Sequence, residues 1–328
     1  MKTTFKNMIR RGFTLIELMT AMAITAILVL VIMQMTTKGI DIWRLVQEDI
    51  STASRARIAM DCVSHDFEAM QWRIGDNRYE WLFARAAKDL KGVDKDMKIP
   101  RSAQCVFFTS PIDRNPTVSS DESMRRSYRD TRAHNSETQG DVLCVGYRLL
   151  YRDQVLNLPA DKNSRDEQSF PRFSLYRHLV TPRTTFERLL GVLNLKAAYG
   201  PYESEDEQHF LCEDILEFNV TFTIRHSVGK GDPVRGYPNY ETTVVPVISS
   251  TGKEKKIEVY GDRIEVDGKV LYNPRIDSVN IAMTVLTEEG ANIMEQVRQK
   301  RRRAPKAADF FHRYTRSFST TVMPPQPL

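Results

Sequence analysis

The chain has 328 residues, of which 41% are hydrophobic and 27% charged, with a formal net charge of +5. That composition excludes a disordered or fibrous chain and allows one or two folded domains. The net charge does not describe a nucleic-acid-binding surface, because Lys2, Lys6, Arg10 and Arg11 supply four of the five charges and the rest of the chain is nearly neutral.

Residues 1–12 form a short basic leader that ends in Gly12. From Phe13 to Met35 the chain holds no Pro, no Gly and one charge, Glu17. As a helix rising ~1.5 Å per residue, this segment reaches ~34 Å, enough for a hydrocarbon core of ~30 Å. Thr14, Thr20 and Thr25 can return their hydroxyls to the preceding turn and do not break it. The leader cations predict a cytoplasmic N-terminus by the positive-inside rule, with everything after residue 35 on the far side of the inner membrane. A plain signal anchor accounts for the length and orientation but leaves Glu17 unexplained, since a carboxylate in a membrane helix costs about 2.5–3.5 kcal/mol.

Residues 36–75 continue the helix as an amphipathic extension. Trp43, Val46, Ile50 and Ala53 recur at three- and four-residue steps, and no Pro occurs before Pro100. The alternative is a membrane helix followed by a separate soluble helix, broken at Gly39. Gly75-Asp76-Asn77 marks the expected stop. The residues beyond it, 76–328, read as an extracytoplasmic β-rich domain. Cys105–Thr109 fits a buried strand, and residues 113–140 fit a long exposed loop. Val142–Tyr151 is strand-like with Gly146 as a candidate bulge, and Phe173–Val180 alternates. Residues 184–195 suggest a short helix, and Ile215–Ile224 a strand with clean alternation. Residues 226–256 read as a second long loop. Lys256–Tyr272 carries the hairpin signal Asp267-Gly268, and Ile276–Leu286 is a further strand. Glu288–Arg303 reads as a helix with a basic end, and Tyr314–Val322 as the last strand. The predicted fold class is α+β: a long N-terminal helical stem with an antiparallel sheet packed on its outer half.

Catalytic motifs are absent: there is no HExxH, GxSxG or Walker A sequence, and the turn at Gly229-Lys230-Gly231 lacks the strand-to-helix setting of a phosphate loop. The six histidines show no metal-ligand spacing. Cys62, Cys105, Cys144 and Cys212 form no CxxC and read as buried thiols, although export would permit one disulfide. The acidic run contributes Glu203, Glu205, Asp206 and Glu207 as candidate calcium ligands, without the spacing of an EF-hand. A solvated loop is the plainer reading. The cluster Arg298, Lys300, Arg301, Arg302, Arg303 and Lys306 fits a helix end favoured by the dipole, or contact with an anionic surface.

The order of basic leader, Gly12-Phe13 junction and apolar helix with Glu17 resembles the type III (prepilin) signal of type IV pilins and pseudopilins. The resemblance implies cleavage between Gly12 and Phe13 by a prepilin peptidase, N-methylation of Phe13, and a role for Glu17 in assembly. It also implies that the carboxylate meets the N-terminal amine of a neighbouring subunit, so that neither charge is unpaired in an apolar bundle. The outer segments Asp61–Phe67, Val145–Leu149, Leu175–Arg177 and Ile215–Val220 resemble the J-type minor pseudopilin of type II secretion systems. The length and the terminal Arg316–Val322 also resemble the C member of a four-protein cassette of pilin-like proteins in Verrucomicrobia. The implied function is a minor pilin or pseudopilin with no cofactor and no enzymatic activity. A monomeric membrane-anchored binding or adhesion protein and a DNA-uptake minor pilin are the alternatives.

Overall fold

In the computed structural model, described residues are 14–73, 75, 78–87, 101–110, 142–153, 158–159, 170–203, 209–228, 239–299, 301, 303 and 305–326. The expected loop 113–140 and the Gly229-Lys230-Gly231 turn lie outside them. The chain divides into two units, residues 1–50 and 51–328.

Helix α1 is continuous over Leu15–Glu68, with no break at Gly39. It stops short of Gly75 because the chain just after it joins the sheet. The Gln71 amide donates to Phe108 at 2.8 Å, the Ser110 amide donates to Ala69 at 2.9 Å, and Met70 bridges to Thr109. The last turns of α1 bury Thr52, Ala56, Ala59, Met60, Val63 and Phe67, a stripe at three- and four-residue steps.

The outer unit is built on one 12-stranded sheet. Its strands are β1 (Glu80–Ala86), β2 (Ala103–Thr109), β3 (Leu143–Asp153), β4 (Leu158–Pro159), β5 (Arg172–Val180), β6 (Phe210–Glu213) and β7 (Ile215–Ser227). The remaining strands are β8 (Tyr240–Pro246), β9 (Ile257–Tyr260), β10 (Arg263–Val266), β11 (Lys269–Leu286) and β12 (Thr315–Val322). Their order is β6-β5-β3-β2-β1-β9-β10-β11-β7-β8, with β12 on β11 and β4 on β3. All pairings are antiparallel. The fold is therefore the expected α+β arrangement of a long N-terminal helix and an antiparallel sheet domain.

One face of the sheet carries the end of α1. Phe67 stacks on Phe107 with ring centroids 4.3 Å apart and meets Phe222 edge-on. Part of the opposite face is covered by the chain between β5 and β6. This cover is helical over Pro182–Thr184, continues as a π-turn over Thr185–Leu189, and resumes over Leu195–Tyr199. The single helix expected at 184–195 is thus split, because Gly191 takes a left-handed φ of +83° and Asn194 caps the next helix through the Ala197 amide at 2.8 Å.

Gly146 is not a bulge. Its pairing is regular on both sides, with Val106 and with His178. A Cβ there would lie 2.2 Å from the Tyr199 hydroxyl, so the glycine makes room for a ring from the covering segment. The expected loop 226–256 instead contains the end of β7 and the whole of β8. The hairpin at Asp267-Gly268 forms as expected, with φ of +50° and +81°. Its second strand continues through an irregularity at Asn273, where φ is +47° and the pairing with β7 shifts register, so the two strands expected on either side of residue 274 are one, β11.

The helix expected at 288–303 ends at Arg298, and Ala307–Tyr314 forms a further helix that was not expected. Arg298 folds back on Glu295 at 2.6 Å, and a longer helix would stack the following cations on one another. These two helices pack on Tyr151, Phe173, Leu216 and Leu286 in a smaller second core.

Glu80 is a buried carboxyl whose titration bears on stability. It is 1% accessible, and its Oε2 accepts the Leu195 amide at 2.6 Å. Burial pushes its pKa up to about 7, against the pull of that amide. Between the ordinary value of 4.5 and about 7, the folded state holds a proton that the unfolded state has released. Stability is therefore expected to fall as pH rises through that window, by on the order of 3 kcal/mol in total. In Glu80→Gln, urea titrations at pH 5 and pH 8 are expected to give nearly equal contributions from this site, with the amide oxygen still accepting from Leu195.

Candidate processing and assembly site

Gly12 and Phe13, the expected cleavage junction, lie outside the described residues, which begin at Thr14. Glu17 sits in the first turn of α1. Its Oε2 accepts both the backbone amide and the hydroxyl of Thr14, each at 3.0 Å, while Thr14 Oγ1 accepts the Glu17 amide at 3.3 Å. This reciprocal pair is a capping box: two donors that the helix start leaves open are satisfied by one threonine and one glutamate three residues apart. The helix dipole favours a carboxylate at this end. Sequence reasoning took Glu17 as an assembly residue and missed this local role, although Thr14-x-x-Glu17 is the signature of such a box.

Of the three threonines expected to return their hydroxyls to the preceding turn, Thr20 and Thr25 do so and Thr14 caps the helix instead. Thr20, Thr25 and Thr36 donate to the carbonyls of Glu17, Ala21 and Ile32 at 2.8–3.0 Å. The helix thereby presents no unsatisfied hydroxyl donor at these positions. It is the one helix among the described residues long and apolar enough to cross a membrane, by length and composition.

At the outer end of α1, Asp66 is 1% accessible and lies at the centre of a polar cluster inside an apolar core. Arg177 of β5 donates to it from Nε and Nη2, at 2.7 and 2.6 Å, and the Tyr147 hydroxyl of β3 donates to the same carboxylate. Burial, followed by the Asp66 charge, holds the Tyr147 phenol well above its usual range. Asp214, 2% accessible, provides a second tie. It accepts from Arg55 of α1 at 2.5 Å and from Arg172 of β5 at 3.3 Å. Two buried carboxylates, one on the helix and one in the link between β6 and β7, are thus paired across the same interface.

Of the candidate calcium ligands, Glu205, Asp206 and Glu207 lie outside the described residues. Glu203 is engaged by Arg148 at 2.8 Å and by the Gln104 amide at 2.5 Å. Among the described residues no three His, Cys, Asp or Glu side chains form a cluster fit for a metal. The fold does bring His178 and His209 together, ring on ring with centroids 4.4 Å apart. Burial, aided by His209 and Arg148, pushes His178 down to about 3, so that ring is neutral. His65 is exposed beside Glu68. The four cysteines are free thiols, three of them buried, and burial pushes Cys212 up to about 11. In the basic cluster, Arg298 is paired with Glu295, Arg301 and Arg303 are exposed, and Lys300 and Arg302 lie outside the described residues.

Residues 7–33 match the family model for the prokaryotic N-terminal methylation motif. The chain therefore carries a prepilin-type N-terminal signal, which supports a place in the type IV pilin-like superfamily and, with the apolar stretch of α1, suggests a membrane anchor. No curated protein and no solved structure matches the chain.

Proposed function

We propose that this protein is a minor pilin or pseudopilin that acts by assembly and not by catalysis. The observation that carries the reading is the methylation motif at residues 7–33 running directly into a single 54-residue helix. A prepilin peptidase cleaves after Gly12 and methylates Phe13. The mature subunit then joins or primes an envelope-spanning filament of the type II secretion or type IV pilus kind, among other pilin-like subunits. The sheet domain lies on the periplasmic side of the inner membrane. The J-type pseudopilin and the verrucomicrobial cassette protein are the subfamilies whose outer segments it resembles.

The capping box fits this role. Both Thr14 contacts use the same oxygen of Glu17, which leaves the other oxygen for the amine of a neighbouring Phe13. A free subunit thus keeps its carboxylate satisfied by its own helix start, and assembly adds a partner without breaking that cap.

Two measurements test the reading. Mass spectrometry of the membrane-extracted protein is expected to find N-methyl-Phe13 as the first residue, and an intact Met1 would sink the proposal. In Glu17→Ala, co-purification with other pilin-like subunits is expected to drop at least about tenfold while membrane insertion persists, as for loss of a charge pair in an apolar bundle. Unchanged co-purification would favour the monomeric anchored protein.

A further inference from the structure

The placement of charges along α1 locates the membrane more closely than its apolar run alone. Glu17 and Lys38 bound residues 18–37, twenty positions with no charged side chain. At ~1.5 Å per residue these span ~30 Å, the thickness of a hydrocarbon core. This register sets Glu17 at one edge and Lys38 at the other, where both side chains reach the headgroups instead of lying in hydrocarbon.

Beyond Lys38 the helix does not become a one-sided stem at once. Ile40, Ile42, Trp43, Leu45 and Val46 are all exposed, at 45–63%. At ~100° per residue they cover more than half of the circumference, wider than the stripe of a helix packed on one partner. Lys38 and Arg44 lie among them, with Asp41 as the one acid between Lys38 and Val46. Trp43 stands ~8 Å past Lys38 along the axis, at the outer margin of the headgroup layer of a bilayer whose full thickness is ~40–45 Å, and a helical side chain leans back toward the N-terminus, here into that layer. Tryptophan is enriched at that depth because its ring is apolar and its N–H polar.

We infer that Lys38–Val46 is a collar that binds phospholipid headgroups in the leaflet opposite the leader. Trp43 sits at the interface, and Lys38 and Arg44 meet lipid phosphates. The collar is continuous with the membrane span, and its cations complement the phosphates. The inference rests on the membrane-spanning reading of α1 and not on filament assembly. It also gives the mature subunit an anchor at both membrane faces while it waits to be assembled.

The test uses the full chain, wild type and Trp43→Phe, reconstituted into phosphatidylethanolamine and phosphatidylglycerol vesicles. Trp72 and Trp81 are 3% and 8% exposed within the sheet domain, so the difference in fluorescence reports Trp43. Quenching is compared between lipids brominated near the headgroup, lipids brominated near the chain end, and aqueous iodide. Shallow bromines are expected to quench the difference signal at least about twofold more than deep ones, with iodide weak, as for an interfacial ring. Strong iodide quenching without bromolipid quenching would place Trp43 in water and overturn the collar. Shielding from all three quenchers would overturn it in favour of a neighbouring helix. Failure of the protein to sediment with vesicles would instead overturn the membrane span itself.

Discussion

Asp66→Ala is expected to destabilise the sheet domain by about 3–5 kcal/mol, the usual result of removing one partner of a buried ion pair. The loss comes mainly from what remains. Arg177, with a side chain 12% accessible, would keep its charge with no carboxylate beside it, and the Tyr147 hydroxyl would lose its acceptor. The pair itself contributes little net stability, because two charges had to leave water to form it. The double variant Asp66→Leu with Arg177→Leu is therefore expected to recover most of the loss. Urea unfolding of the detergent-solubilised chain, followed by the emission of the buried tryptophans, measures both. Equal losses in the single and double variants would show that Asp66 acts through packing and not through its charge.

Gly146→Ala is expected to cost about 1–3 kcal/mol, as overpacking of a well-filled core does. The added methyl would lie 2.2 Å from Tyr199 Oη and 2.6 Å from its Cζ. Tyr199 is 1% exposed and cannot swing aside without opening the cover over the sheet. Tyr199→Ala removes both contacts, and in that background Gly146→Ala is expected to be neutral or to stabilise by up to ~1 kcal/mol, since alanine restricts the unfolded chain more than glycine does. A double-mutant cycle reads this coupling directly. Additive effects would mean that the covering segment does not rest on Gly146.

How much could be read from residues alone depended on how local the cause was. The long helix was legible because it needs only an apolar run without proline. The Asp267-Gly268 hairpin was legible because two residues with positive φ specify it. Asp66 did not stand out among the charged residues of the stem, because its partners Tyr147 and Arg177 are 81 and 111 residues away and only the sheet register brings them together. Gly146 looked like a bulge because a glycine in a strand has two readings, and Tyr199, which decides between them, lies on a separate segment. The end of α1 was misjudged for a similar reason: no breaker stands at Glu68, and the hydrogen bonds to the end of β2 stop it. Strand β1 had an apolar run at Trp81-Leu82-Phe83 that could have found it. The final helix could have been found from Phe310, Phe311 and Tyr314, which recur at helical steps.

The pairing of β1 with β9 sets how the domain can be made. Glu80 lies opposite Tyr260, so this pairing joins two strands that are far apart in the chain. Strand β11 gains its last neighbour, β12, from the final residues of the chain. Local hairpins can form early, but the β1–β9 pairing requires closure of a loop of about 180 residues, with its entropic cost incurred before any contact repays it. Folding should therefore be slow and should finish only after β12 is available to pair with β11. Until then the open edges of β1 and β9 are exposed, and each is a template on which another chain can pair.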